Sequence, residues 1–305
     1  MARTPVRGTQ SIVHQMGWVL ARPSLTALEV LWRWLVGAPI LLVCWSQFRQ
    51  VLIALPPEST GLTNLDLTNP WASALRLAVA WDAYRPHVLG ILRWLVPIAA
   101  VAWIIVSGIG RNLVLMRMER GIRFRPVAMI ALQAAWVAVF ALTGWAWWSS
   151  IGWAADKHIG TGAEPDLVGY TMWAIFLTLG FFSLWALISW VVAIAPMLLL
   201  LEDCSVAQAL TRSLNLGKPF TGKLVEVNLV MGIVKLALLV LAMVFSSDLI
   251  PFADQLGAGT LQSEWLIVSL VYFLASDYFH VVRLKGFIEF WRIFRSDSSS
   301  QELSS

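Results

Sequence analysis

Six long apolar stretches, separated by short charged segments, organise the chain. They run near 27–46, 88–110, 127–149, 167–201, 224–246 and 265–282. Within each run the apolar residues fall on every face. A surface helix with one wet side and a half-buried strand would both show a periodic polar face, so neither describes them. Each run is long enough to cross a hydrocarbon layer of ~30 Å at ~1.5 Å per residue. Lipid offers no hydrogen-bond partners, so backbone N–H and C=O groups must be satisfied within each segment, which selects helices. A membrane β-barrel would instead alternate polar and apolar positions over about ten residues. The predicted fold is therefore all-α: a polytopic integral membrane protein with six transmembrane helices, one helical membrane domain over 1–295, and a disordered tail over 296–305.

Shorter amphipathic pieces lie between and beyond the runs. Ile12, Val13, Met16, Val19 and Leu20 share one helical face. Pro70–Tyr84 reads as an external helix after an Asn cap. Ser205–Leu216 reads as a helix at the cytoplasmic interface, with Ser205 and Gln208 as a capping box and Gly217 as its stop. In the tail, Phe287, Ile288, Phe290, Trp291 and Phe294 oppose Lys285, Glu289 and Arg292, a pattern suited to the membrane surface. Thr26 and Glu29 form a potential capping box for the first span. Pro70, Pro86, Pro126 and Pro165 stand where helices can begin. Pro97 and Pro196 fall inside spans two and four, where kinks are expected.

Composition agrees with this solvent. Hydrophobic residues make up 58% of the chain and charged residues 13%, about half the charge of an ordinary soluble domain. Trp is abundant, at 18 residues. Trp32, Trp45, Trp71, Trp81, Trp94, Trp145, Trp147, Trp148, Trp153, Trp173 and Trp265 lie near span ends, where indole anchors at headgroup level. Cys44 and Cys204 fall toward opposite sides of the membrane, so no disulfide is expected. No small-residue cleavage site follows the first run, which reads as a retained anchor.

Charge sets the orientation. The N-terminal segment carries Arg3, Arg7 and Arg22; the second connection carries Arg111, Arg117, Arg120, Arg123 and Arg125. The fourth carries Arg212, Lys218 and Lys223, and the C-terminal segment Arg283, Lys285, Arg292 and Arg295. The basic residues of the first connection are Arg49, Arg76 and Arg85; the third has Lys157 with Asp156, Glu164 and Asp166, and the fifth has only acids, Asp248, Asp254 and Glu264. Fifteen basic residues on one side against four on the other place both termini in the cytoplasm and demand an even number of spans. The net charge of +4 thus reflects topology and attraction to anionic lipid rather than nucleic acid.

Charges within the runs are the candidate site, because they are expensive in lipid. Lys235 in span five and Asp277 in span six each sit twelve residues from their shared connection, ~18 Å below that end. They are expected to pair, with His280 nearby at i,i+3 from Asp277. Such a pair serves either as a structural ion pair or as part of a proton or ion pathway. Arg33, Glu29, Arg93 and Glu226 lie near span ends and can snorkel. Gly108 and Gly110, with Gly90, allow close helix approach in span two. The Gly-containing run 107–110 lacks the strand–turn–helix setting of a nucleotide loop. His14, His87, His158 and His280 are scattered without ligand spacing, so no metal or cofactor is expected.

One segment carries a resemblance. Ala195-Pro196, Glu202-Asp203, Ala207, Ala209-Leu210, Ser213-Leu214 and Gly217-Lys218 follow a pattern in which a span ends, a short helix follows and a new span begins. Over about residues 195–250 it resembles the membrane-domain family associated with bacterial glycerophosphodiester phosphodiesterases and its stand-alone relatives. The resemblance implies an all-helical membrane module. It does not carry over the phosphodiesterase activity, because no soluble catalytic barrel accompanies it. The sequence points to a non-enzymatic module of a bacterial inner membrane: a scaffold, an accessory subunit or a lipid-interacting protein. Its partner is the bilayer, with a membrane-protein partner or a second copy left open. The competing classes are a small transporter built on Lys235 and Asp277 and a lipid-modifying enzyme near Glu202, Asp203 and Arg212.

Overall fold

The computed structural model describes residues 8–64, 70–119, 121–159, 166–215, 218–246 and 258–302. Among these the chain forms nine α-helices and one 3₁₀ turn, and no strand. The order is α1 (Gly8–Leu20), α2 (Pro23–Ala54), α3 (Pro57–Thr60), the 3₁₀ turn Leu62–Asn64, α4 (Pro70–Met118), α5 (Pro126–His158), α6 (Leu167–Leu201), α7 (Val206–Leu214), α8 (Lys218–Ser246) and α9 (Ala258–Glu302). Six of them, α2, α4, α5, α6, α8 and α9, are long and apolar enough to cross a membrane. Arg3, Arg7, Asn69, Arg120, Pro165, Gly217 and the connection 247–257 lie outside the described residues.

Several helices run further than their apolar stretches. The external helix expected over Pro70–Tyr84 and span two form one helix of 49 residues. At ~1.5 Å per residue that is more than twice a ~30 Å hydrocarbon layer. Pro86, expected to open a helix, lies inside α4, as Pro97 does. Pro196 is likewise internal to α6, and so is Pro39, in α2. The extra length of α4 is not idle. Beyond the apolar zone, Ala80 and Tyr84 pack on Val51, and the Tyr84 hydroxyl donates to the Leu55 carbonyl at 2.8 Å. That contact holds the start of α4 against the end of α2.

The helix ends match their capping chemistry unevenly. Ser205 and Gln208 form a complete capping box on α7. Pro126 opens α5, and Asp166 caps α6 by accepting from the Gly169 N–H at 2.9 Å. The Gly169 N–H and then the neighbouring His158 hold the Asp166 carboxyl below the ordinary carboxylate range. The Thr26–Glu29 box does not form. Pro23 opens α2 four residues before the start that this box implies, and Glu29 is fully buried and engaged elsewhere. At the other terminus α9 continues through Glu302, so the described part of 296–305 is helical where the sequence predicts disorder. Ser and Gln cost a helix only a few tenths of a kcal/mol each, and elongating an established helix needs no new nucleus.

Packing order defines the architecture. α6 packs on α5, α5 on α4, α4 on α2, α2 on α9, and α9 on α8. The six long helices thus follow one another around a ring, and among the described residues α6 and α8 do not pack extensively on each other. The main core lies toward one end of this ring, away from the small cluster around Val51, Ala80 and Tyr84. It gathers Trp32 of α2, Val114 and Leu115 of α4, Met129 and Leu132 of α5, Ile194–Leu200 of α6, Val227 and Met231 of α8, and Val281, Val282, Phe287 and Ile288 of α9. This is the end that carries most of the basic residues, and α1 and α7 close it. The Tyr278 hydroxyl of α9 donates to the Met16 carbonyl of α1 at 2.9 Å. In the opposite half, Trp145, Trp148, Phe176, Leu179, Leu241, Leu266 and Val271 are exposed on the helices. Lipid must cover them, as the composition requires.

Two expectations change here. The aromatic segment of α9 is not a membrane-surface helix. Phe287, Ile288 and Phe290 are buried in the core, and Lys285 is buried with its ammonium 4.5 Å from the Trp18 ring. Its amphipathic pattern reads α1 and the bundle rather than lipid. Nor is Trp32 a belt anchor: it is 5% exposed in the core.

Glycine supplies the closest approach between α2 and α4. A Cβ on Gly110 would collide with the Trp32 indole, and one on Gly108 would lie 2.9 Å from the Ile130 backbone of α5. Gly90 faces open space. Gly110→Ala is expected to lower the melting temperature in detergent by overpacking, at about 1–3 kcal/mol. Gly90→Ala should leave it unchanged or raise it, since Ala is about 1 kcal/mol the better helix former. Equal responses at the two sites would show that α2 and α4 do not meet at Gly110.

Candidate functional site

Charged side chains converge where the core is densest. α2 presents Glu29 and Arg33, four residues apart on one helical face. α9 presents Asp277, His280 and Arg283 at successive i,i+3 positions on another. Arg33 joins the two helices: one terminal nitrogen lies 2.6 Å from Glu29 Oε1 and the other 2.6 Å from Asp277 Oδ1. A planar guanidinium with a fixed fork of donors suits this bridging role better than an ammonium. The second Glu29 oxygen accepts from the Trp32 indole N–H at 2.9 Å.

The cluster continues along α9. Arg283 Nη2 lies 2.9 Å from His280 Nδ1. Arginine only donates, so Nδ1 accepts and the imidazole proton sits on Nε2. Nε2 lies 3.6 Å from Glu29 Oε1. Arg111 of α4 approaches from the far side, within electrostatic range of Glu29, Arg33 and Arg283. Neither Arg111 nor Arg283 makes an ion pair with a carboxylate among the described residues, and the Nε of each is buried without a hydrogen-bond partner. Asn112, beside Arg111, has both amide atoms buried in the same condition.

The pairing expected from the sequence is redrawn. Asp277 contacts Arg33, not Lys235. Lys235 lies within electrostatic range of Asp277, Arg33 and Arg283 but forms no ion pair with Asp277. Equal depth on two helices is necessary for contact but not sufficient, and Arg33 occupies the near side of Asp277. His280 does fall in the cluster. The readable signal for Arg33 was its i,i+4 spacing from Glu29 inside a helix whose other neighbours are apolar.

The charges do not balance. Arg33, Arg111, Lys235 and Arg283 face Glu29 and Asp277, with His280 accepting as a neutral ring. This leaves an excess of two positive charges around the cluster. An adjoining cleft of about 740 Å³ opens between α6 and α8. Its walls include Ser183, Ala186, Leu187 and Ala193 of α6 and Asn228 and Leu229 of α8, and Arg283 lines it from α9.

A second set of polar contacts ties the connections of the basic end together. Arg125 reaches Asp203 at 3.1 Å and the Cys204 carbonyl at 2.8 Å, and Arg123 reaches Asp203 at 3.4 Å. Asp203 itself has a left-handed backbone, φ 48°, which Asp tolerates better than most residues. Glu202 pairs with Arg212 and accepts from the Trp291 indole at 3.2 Å. Arg292 pairs with Glu119. Gln15 of α1 donates to Glu289 at 2.8 Å. Burial, and then the charge of Glu202, push the Cys204 thiol above its ordinary pKa. Cys204 and Cys44 are both free thiols. Among the described residues no group of three His, Cys, Asp or Glu could hold a metal ion. No family model, curated protein or solved structure matches the chain.

A double-mutant cycle in detergent separates the two pairings. Removing one partner of a buried pair strands the other, at about 3–5 kcal/mol. Arg33→Met and Asp277→Leu should therefore each destabilise, with a coupling between them of about 1–3 kcal/mol. Lys235→Met and Asp277→Leu should add to within about 0.5 kcal/mol. Strong coupling of Lys235 to Asp277, with additive Arg33 and Asp277, would overturn the assignment.

Proposed function

We propose that the chain is a non-enzymatic, lipid-interacting module of a bacterial inner membrane, with both termini in the cytoplasm and the basic end against the anionic leaflet. The carrying observation is that, of the fifteen basic residues of the sequence count, the twelve that lie among the described residues belong to the helix ends and connections on the side where the bundle is packed. The outer half leaves its large apolar side chains to lipid. Cytoplasmic leaflets are anionic, and each basic residue near such a surface contributes about 1 kcal/mol of attraction. The likeness of 195–250 to phosphodiesterase-associated membrane domains is in keeping with a helical module of this kind.

A transporter is the second reading. It is favoured by the contiguous series Asp277, Arg33, Glu29, His280 and Arg283, which links ionisable groups from α2 to the cleft edge. An enzyme at Glu202, Asp203 and Arg212 has less support, since arginines and the Trp291 indole already occupy both carboxylates.

Orientation tests the first reading. In a background without native cysteines, Lys157→Cys should react with an impermeant maleimide supplied from outside the inner membrane. Arg120→Cys should react only after the membrane is permeabilised. Labelling of position 157 from the cytoplasmic side alone would turn the basic end away from the anionic leaflet, and the proposal would fail.

A further inference from the structure

We infer that the cleft between α6 and α8 is a binding site for an anionic glycerophospholipid, whose phosphate sits on Arg283 with the Asn228 amide beside it. The inference rests on the lipid-interacting reading above and names its site. Three observations carry it. The first is charge complementarity. The cluster holds two more cations than carboxylates, and the Arg283 guanidinium reaches the cleft with a histidine ring rather than a carboxylate as its hydrogen-bond partner. Its buried Nε has no hydrogen-bond partner among the described residues. One phosphate monoanion in contact with Arg283 would halve the excess and supply the acceptors that the protein does not.

The second is the placement of polarity along the cleft. Through His280, Arg283 lies near the level of Glu29, which is about 9 Å from the start of α2 at ~1.5 Å per residue. That is a depth from which arginine meets a headgroup. From Ala193 to Phe182 the α6 wall then runs inward for ~16 Å, toward the bilayer midplane. The groove is therefore cationic at its basic end and mainly apolar along its length, with Ser183 and Ser189 as the hydroxyls on that wall, which is the order of groups in a phospholipid.

The third is access. Among the described residues α6 and α8 are the neighbours in the ring without extensive packing on each other, and the side chains flanking the gap, such as Phe182, Leu187 and Leu229, are apolar and exposed. The opening faces hydrocarbon, which admits a lipid and obstructs a free ion. A cleft of about 740 Å³ is within the range of small-molecule sites, ~300–1,000 Å³.

The test titrates the purified full chain in neutral detergent with phosphatidylglycerol, phosphatidylcholine or inorganic phosphate, reading affinity from the shift in melting temperature. Phosphatidylglycerol should bind about tenfold more tightly than phosphatidylcholine or more, and phosphate alone should give no comparable shift. Arg283→Gln should weaken phosphatidylglycerol by about tenfold or more. Because Arg283 also belongs to the buried cluster, Ala186→Phe provides a variant that leaves the charges in place. Ala186 is exposed in the cleft, and the added ring should exclude the lipid to a similar degree. If Arg283→Gln does not fold, Ala186→Phe decides. Selective binding that survives Ala186→Phe, and Arg283→Gln where it folds, overturns the cleft but leaves the lipid-interacting module standing. Equal binding of both lipids, or a phosphate effect matching that of phosphatidylglycerol, also overturns the cleft. Failure to bind any lipid overturns both.

Discussion

The bundle depends on one guanidinium. Arg33 is positioned inside an apolar helix, where an isolated charge costs up to ~2.5–3.5 kcal/mol, the value at the helix centre on insertion scales. It is tolerable there because Glu29 and Asp277 each lie 2.6 Å from it, and because Trp32 satisfies the second Glu29 oxygen. The same contacts are directional. Lipid tails are as apolar as leucine, so hydrophobicity alone does not bring membrane helices together in a particular register. An Arg on α2 that must meet an Asp on α9 does fix one, joining the far end of the chain to its beginning. With α2 also locked to α4 by the Gly110–Trp32 approach, three helices take a defined position before the rest of the core is counted.

The asymmetry of the molecule follows. Packing, polar contacts and the capping helices α1 and α7 all concentrate at the basic end. The connections there are held by Arg123, Arg125, Arg212 and Arg292 against Asp203, Glu202 and Glu119. Individually such exposed pairs contribute little. Together they keep the α4–α5 and α6–α7 connections, α7 and the later part of α9 in one layer. Away from that layer the ring is looser, and it does not close between α6 and α8. The cluster's excess positive charge lies beside that break, which makes an anion at Arg283 a completion of the electrostatics rather than an addition to them.

The fold was legible because hydropathy and charge are independent signals that agree on six spans. The α7 capping box and the Gly108 and Gly110 contacts were legible too, since each depends on residues close in sequence or on the simple absence of a side chain. What was not legible depended on partners far apart in the chain. Lys235 and Asp277 share a depth, but the sequence does not say which neighbour turns toward Asp277, and Arg33 is 244 residues away. The aromatic face of α9 is legible as amphipathic but not as to its partner, because a lipid surface and the α1 surface ask for the same residues. Pro86 reads as a helix start in the sequence, whereas α4 runs on through it and keeps Tyr84 in reach of α2.

Distances between spin labels in lipid nanodiscs would test the hub most directly. One pair, at Arg117 of α4 and Thr211 of α7, samples the packed end. Another, at Met172 of α6 and Val240 of α8, samples the far end of the open side. The account predicts a narrow distance distribution for the first pair and a broader one for the second, with Arg33→Gln broadening the first. Distributions of equal width at the two ends, unchanged by Arg33→Gln, would contradict it.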